Sequence, residues 1–241
     1  MLTKTQGIVL KQVKYGDTSL IVKMYTRDYG LLSFMVKGVR SSRSKGKAAM
    51  MQPLMLLDLV LYLKSNQNLK SLREFQYSYV YRQLPYDIVR STVGMFMLEV
   101  VLKSIKEEEP NTELFDFLSN AFHLLDEGDK MPPNFHLVFL AQLLEHIGFQ
   151  PQGRFTEETA CFDVYEGSFV ADPPAAGHYL EPEDAGELAI LLHTGLEHAE
   201  NIQLSAPARK LLLDRLLLYY EYHVESFKQL RSPEILRSVL H

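Results

Sequence analysis

Cysteine is almost missing from this chain: Cys161 is the single one in 241 residues. An internal disulfide is therefore excluded, and a reducing compartment is expected. No run approaches the roughly 18 apolar residues that a membrane-spanning helix needs, and Met1-Leu2-Thr3-Lys4-Thr5-Gln6-Gly7 lacks the apolar stretch of a secretory signal. These absences predict a soluble, cytoplasmic protein with no membrane contact. Acids are scarce in the first 85 residues, where 4 Asp and Glu face 14 Lys and Arg, a balance of +10. The remainder holds 26 acids against 11 cations, or -15, so the total of -5 conceals two oppositely charged parts. At 46% hydrophobic residues, the chain can still form genuine cores.

What is present is concentrated in Lys37-Gly38-Val39-Arg40-Ser41-Ser42-Arg43-Ser44-Lys45-Gly46-Lys47, five cations among small residues with no acid between them. Such a run suits a polyanion. Lys37, Arg40, Arg43, Lys45 and Lys47 are the primary candidates for phosphate contacts, supported by Lys11, Lys14, Lys23 and Arg27. The segment is not a nucleotide-phosphate loop, because Gly38 and Gly46 are too far apart and Ala48 stands where a metal-binding hydroxyl is required. Among aromatics able to stack on bases, Tyr29 at a turn tip is the one expected to be exposed, while Tyr25 and Phe34 are assigned to packing; Tyr15 and Tyr62 are further candidates.

Two regimes divide the chain. From Gly7 to about Tyr81, short β-branched and aromatic segments predict strands over 7–14, 19–26, 31–39, 55–64 and 69–79, separated by turns at 15–17, 27–30 and 65–68. Five strands in about 80 residues fit an OB-type barrel, and an SH3-like barrel equally. After Pro85 the apolar period becomes helical, predicting helices near 89–105, 112–125, 134–148, 182–200, 207–230 and 233–240. Residues 150–180, broken by Gly153, Gly167, Pro173, Pro174 and Gly177, read as an irregular insertion. The fold class is thus α+β, with a barrel over 1–81 and an all-α domain over 82–241. The leucine-dense segment 211–218 suggests that the helix from Pro207 is the central one of its domain.

With this order in place, Gly7-Ile8-Val9-Leu10, Tyr15-Gly16-Asp17-Thr18-Ser19-Leu20-Ile21-Val22, Tyr25-Thr26-Arg27-Asp28-Tyr29-Gly30, the basic loop and Gln52-Pro53 resemble the N-terminal domain of the RecO family. Leu143-Leu144-Glu145-His146-Ile147-Gly148-Phe149-Gln150-Pro151 is similar to the family's segment leading into a zinc-finger-like insertion. The resemblance implies an OB-fold, a helical domain and a non-enzymatic bacterial DNA repair and recombination mediator. Such a protein binds single- and double-stranded DNA, anneals complementary strands, and works with RecR and the single-stranded DNA-binding protein SSB to load RecA, in the cytoplasm and on the nucleoid during repair. It further implies that the acidic SSB C-terminal tail docks on the helical domain, for which Arg209, Lys210 and Arg215 are candidate rim cations.

The insertion departs from the family. Members with zinc carry two CxxC pairs, whereas this one has Cys161 alone, and tetrahedral zinc is not held by one thiolate. No metal or other cofactor is expected, and packing through Phe155, Phe162, Tyr165, Phe169 and Tyr179 is expected to hold the loop instead. Nor does a catalytic pattern emerge. His193-Thr194-Gly195-Leu196-Glu197-His198 nearly spells a metalloprotease motif, but its histidines are five apart instead of four. Two rival readings are a metal-dependent hydrolase with a basic module and an adaptor whose basic loop meets an acidic protein.

Overall fold

Alternation of apolar and polar residues lays down the first five strands: β1 Leu2–Tyr15, β2 Ser19–Thr26, β3 Gly30–Val36, β4 Leu56–Tyr62 and β5 Leu69–Tyr77. In the computed structural model, which describes residues 2–41, 44, 46–63, 68–105, 109–225, 227–228 and 230–240, they close into a barrel of order β1-β2-β3-β5-β4. Closure comes from a parallel pairing of β3 with β5, all other neighbours being antiparallel. This is the five-stranded Greek-key closure of an OB-type barrel, which decides between the two barrels that the sequence leaves open. The turn expected at 65–68 falls largely outside the described residues.

Inward residues form the barrel core: Val9, Leu20, Val22, Met24, Phe34, Val36, Leu57, Leu59 and Leu61, joined by Val39 and Met51 from the β3–β4 connection. A bulge between Val9 and Lys11 shifts the phase of β1. Tyr25 points outward beside Ile8 and Leu31, yet it is 1% exposed. Its cover is a helix that stacks Phe115 on it at 6.4 Å.

That helix is α2 (Thr112–Asp126), which follows α1 (Ile88–Ser104). The chain separates into two compact units, residues 1–98 with 105–126, and residues 99–104 with 127–241. Within the first, Asp126 ends α2 with its carboxylate 2% exposed. It accepts the backbone N–H groups of Arg82, Gln83 and Leu84 at 2.9, 2.8 and 2.7 Å and the Tyr79 hydroxyl at 3.0 Å. One side chain thus satisfies the turn by which the chain leaves the barrel. Tyr81 donates to the Leu54 carbonyl at 2.8 Å, and Gly94 leaves room for the Leu54 and Leu125 side chains, since a Cβ there would stand 3.0 Å from Leu54 and 3.3 Å from Leu125.

In the second unit, α3 (Phe135–His146), α4 (Pro182–His193), α5 (Ala206–His223) and α6 (Ser232–Leu240) are accompanied by a 3-10 segment, Leu196–Asn201. The central helix is α3, which packs against α4, α5 and the 3-10 segment and buries Phe135 to Ala141 without a break. This corrects the expectation for α5, whose apolar face is real but whose other side keeps Arg209, Lys210, Asp214 and Glu221. The helix expected to reach residue 200 stops at His193, where Thr194 turns its hydroxyl back to the Ile190 carbonyl at 2.7 Å. Likewise α5 ends at His223, short of 230. Glu99 accepts from the backbone N–H groups of Arg231 and Ser232 and from the Ser232 hydroxyl, capping α6.

The insertion is more regular than expected. It forms a three-stranded sheet of order β7-β6-β8 from β6 (Cys161–Asp163), β7 (Ser168–Val170) and β8 (Tyr179–Leu180). Phe162 lies 5.0 Å from Phe169 and 6.0 Å from Tyr219 of α5, and Tyr165 meets Tyr222 at 5.4 Å. Strands of two or three residues are too short to carry a recognisable period.

Asp126 provides a test of the first unit. Burial alone would raise its pKa, but the N–H groups of Leu84, Arg82 and Gln83 and the Tyr79 hydroxyl outweigh that effect and hold the carboxyl below its ordinary value. A depressed native pKa gives stability that is present above the unfolded value and lost as pH falls through the native one. Urea unfolding of Asp126→Ala should show a loss of about 3 kcal/mol at neutral pH and a weaker acid dependence than the parent between pH 5 and 3. Equal stability and an unchanged acid limb would show that the carboxylate does not hold this turn.

Candidate nucleic-acid interface

The barrel's charges are sorted by face. After the bulge, Lys11 pairs with Lys23, Val13 with Ile21, and Tyr15 with Ser19. Across the next ladder, Lys23 pairs with Ser33 and Ile21 with Met35. Residues directly opposite share a face, and the intervening Leu20, Val22, Phe34 and Val36 are core. The outer face of β1-β2-β3 therefore presents a row Lys11–Lys23–Ser33, a row Val13–Ile21–Met35, and Tyr15 with Ser19. No carboxylate occupies any of these positions.

The basic loop begins beside this face. Lys37 follows the inward Val36 and is exposed. Arg40 is also exposed, and it is held at the β1–β2 turn: its backbone N–H donates to the Thr18 carbonyl at 2.9 Å and its Nη1 to the Gly16 carbonyl at 3.2 Å. Ser41 and Ser44 turn their hydroxyls onto the Gly38 carbonyl. With Val39 3% exposed and Met51 0%, both flanks of the loop are anchored in the core. Lys47 is exposed near its end. Arg43 and Lys45 lie outside the described residues.

Most of the barrel's acids are elsewhere. Asp58 accepts from Gln6 and Gln76 at 3.2 and 3.3 Å, Asp28 accepts from the Thr5 hydroxyl at 2.7 Å, and Glu74 pairs with Arg73 at 3.3 Å. Asp28, Asp58 and Glu74 share a groove of about 810 Å³ with Lys4 and Arg27. Asp17, in the β1–β2 turn, is the exception.

The structure gives the surroundings of three further candidates, and for Tyr29 it corrects the expected exposure. Arg27 is not among the free cations: its Nε and Nη2 grip both oxygens of Asp116 at 2.9 and 2.8 Å, and this donation holds Asp116 below the usual carboxylate range. Lys14, opposite Leu20, belongs to the other face of the hairpin from Lys11 and Lys23. Tyr29 is half-buried, its hydroxyl 2.7 Å from Thr3 Oγ1, whereas Tyr15 is 52% exposed. Tyr25 and Phe34 are packed as expected, at 1% and 0% exposure.

The three cations of α5 are not gathered into one rim. At about 100° per residue, Arg209, Lys210 and Arg215 point in three directions separated by about 100° to 140°. Arg209 donates to the Leu204 carbonyl at 3.2 Å, Lys210 is exposed, and Arg215 borders a small crevice with Phe162, Leu180 and Tyr219.

Nor do the insertion's residues suit a zinc ion. Cys161 is 4% exposed, with its thiol pushed up by burial and then by Glu181 and Asp172. Asp163 Oδ1 is engaged by the N–H groups of Tyr165 and Glu166 at 2.8 and 3.1 Å. Among the described residues no three His, Cys, Asp or Glu side chains are placed to hold a metal.

Comparison with known proteins meets this geometry from another side. The family profile Recombination protein O N terminal matches residues 1–81, and Recombination protein O C terminal matches 85–233. The chain belongs to the RecO family. It is 35% identical to the DNA repair protein RecO of Phocaeicola vulgatus over 239 residues, and 34% identical to those of Christiangramia forsetii and Flavobacterium psychrophilum over 240. In each case 99% of both chains is covered. No helix among the described residues is long and apolar enough to cross a membrane.

Two substitutions probe the charge arrangement of this RecO-family barrel. Like charges directly opposite destabilise a ladder, so Lys23→Thr should raise stability by about 0.5 kcal/mol at low salt, with the gain shrinking as salt is added. Thermal unfolding at two ionic strengths reads this; no gain at low salt would mean that Lys11 and Lys23 do not repel. Arg27→Ala, removing a cation already paired with Asp116, should leave affinity for nucleic acid within about twofold of the parent and its salt slope unchanged.

Proposed function

We propose that this chain is a non-enzymatic mediator of DNA repair and homologous recombination that binds single- and double-stranded DNA, anneals complementary strands, and with RecR helps load RecA on SSB-coated DNA. The observation that carries the DNA-binding part is the segregation of charge on the barrel. Lys11, Lys23, Lys37, Arg40 and Lys47 are not tied to carboxylates among the described residues, and Asp28, Asp58 and Glu74 line a separate groove. Arg43 and Lys45 extend the same run in sequence. Each phosphate bound by such a cation releases condensed counterion, which gives tight, salt-sensitive and largely sequence-independent binding.

Annealing follows from the same electrostatics. Two phosphate backbones repel, and a cationic surface that holds both lowers the repulsion while raising their local concentration. Base pairing then selects the partner strand. The assignments to RecR, RecA and the SSB tail are supported by family membership, with action in the cytoplasm and on the nucleoid the setting such partners require.

Titration of labelled single-stranded and duplex DNA at several salt concentrations tests the proposal. Log affinity should fall linearly with log salt, and Lys11→Ala/Lys23→Ala/Lys37→Ala/Arg40→Ala should reduce the magnitude of that slope by roughly 3 to 4. Salt-independent binding, or the parental slope in the fourfold variant, would defeat the reading.

A further inference from the structure

The outer face of β1-β2-β3 is not uniformly cationic. Between the Lys11–Lys23–Ser33 row and the neighbourhood of Lys37 and Arg40 runs an apolar strip, Val13–Ile21–Met35, edged by Tyr15. Val13 is 50% exposed and Tyr15 is 52% exposed, while the Tyr25 row on the same face is covered by Phe115. The uncovered part is thus bounded by α2 at one end and by the basic loop at the other. Successive rows along a strand lie about 7 Å apart, so the apolar strip is flanked by cations within reach of one short stretch of polynucleotide.

A phosphate-only surface has no use for an exposed aromatic and an exposed valine between its cations. A single strand offers what such a strip takes, namely unpaired base faces, with its phosphates reaching the flanking lysines and arginine. A duplex keeps its base faces stacked inside and presents phosphates, sugars and base edges instead. The backbone of Tyr15 is well anchored: it ends β1 opposite Ser19, and Gly16, with φ of 58°, turns the chain immediately after it. Arg40 then fastens the turn from below through the Gly16 and Thr18 carbonyls.

Building on the proposed DNA-binding role, we infer that Tyr15 and the Val13–Ile21–Met35 strip form a base-stacking platform that makes this barrel favour single-stranded DNA over duplex. The cations grip either form, and the platform supplies the difference. Sequence preference is weak, because every base has a face to stack.

The chain contains no tryptophan, so Tyr15→Trp in the full-length protein places one indole at the platform. Its fluorescence should be quenched by saturating oligo-thymidylate and left nearly unchanged by a saturating blunt-ended duplex of two annealed strands. In anisotropy titrations, Tyr15→Ala should weaken single-strand binding roughly 5- to 100-fold with the salt slope preserved and duplex binding within about twofold. Lys11→Ala/Lys23→Ala should instead weaken both forms and flatten both slopes. Unaltered single-strand affinity in Tyr15→Ala, an equal loss for both forms, or indole emission that ignores the single strand overturns the platform. Failure of the parent protein to bind any DNA would overturn the mediator reading itself, a separate outcome.

Discussion

The carboxylate of Asp126 is the joint on which the first unit is organised. A buried anion is tolerated only where donors surround it, and here three consecutive backbone N–H groups and a tyrosine hydroxyl do so. By fixing the end of α2 to the turn that leaves the barrel, this contact helps decide what α2 covers. Nearer the start of the same helix, Phe115 stacks on Tyr25 and Asp116 pairs with Arg27, closing one end of the β1-β2-β3 face. The rows of Lys23 and Ile21 stay open.

The open face carries a cost that local stability does not explain. Lys11 opposes Lys23 across an antiparallel ladder, an arrangement that weakens the hairpin it sits in. A barrel selected for stability alone would place an acid or a threonine at one of these positions. The barrel has acids, but Asp58 and Asp28 are occupied by glutamine and threonine donors on another face. Repulsion left standing among uncovered cations is relieved by an external polyanion, and this links the sorted charges to the proposed activity through energetics as well as through resemblance.

Strands and helices are largely legible in the sequence, because periods of 2 and 3.6 leave clear traces; β2, at Ser19–Thr26, coincides with its expected range. Faces are less so. The bulge between Val9 and Lys11 resets the alternation of β1, which turns Lys11 to the outer face although plain alternation from the inward Val9 would point it into the core. Arg27 reads as a free cation because Asp116 is 89 positions away, and Tyr29 reads as exposed because nothing local announces Thr3. Tyr15, among the candidate aromatics, carries a usable signal in its place directly before Gly16 in a hairpin turn. The second unit shows the same division. Leucine density marks α5 as apolar, but centrality depends on how many sides are enclosed, and α3 is enclosed from Phe135 to Ala141.

The insertion shows how a short sheet is held in place by packing, which differs in kind from a metal site. A zinc site concentrates stabilisation in four bonds that require deprotonated ligands. Here the work is spread over dispersion and burial. Phe162 lies between Phe169 and Tyr219, Tyr165 leans on Tyr222, and Phe155 meets Phe169 at 6.2 Å. His223 reaches the Val164 carbonyl at 3.1 Å, and Asp163 ties the β6–β7 turn to itself through Tyr165 and Glu166. Cys161 takes part as a small buried apolar side chain. Each such contact is individually weak, so the hold on the segment comes from the aromatic rings of the sheet and of α5 acting together. Aromatic packing needs no metal supply and no thiolate, and its strength does not follow the pH dependence of ligand deprotonation.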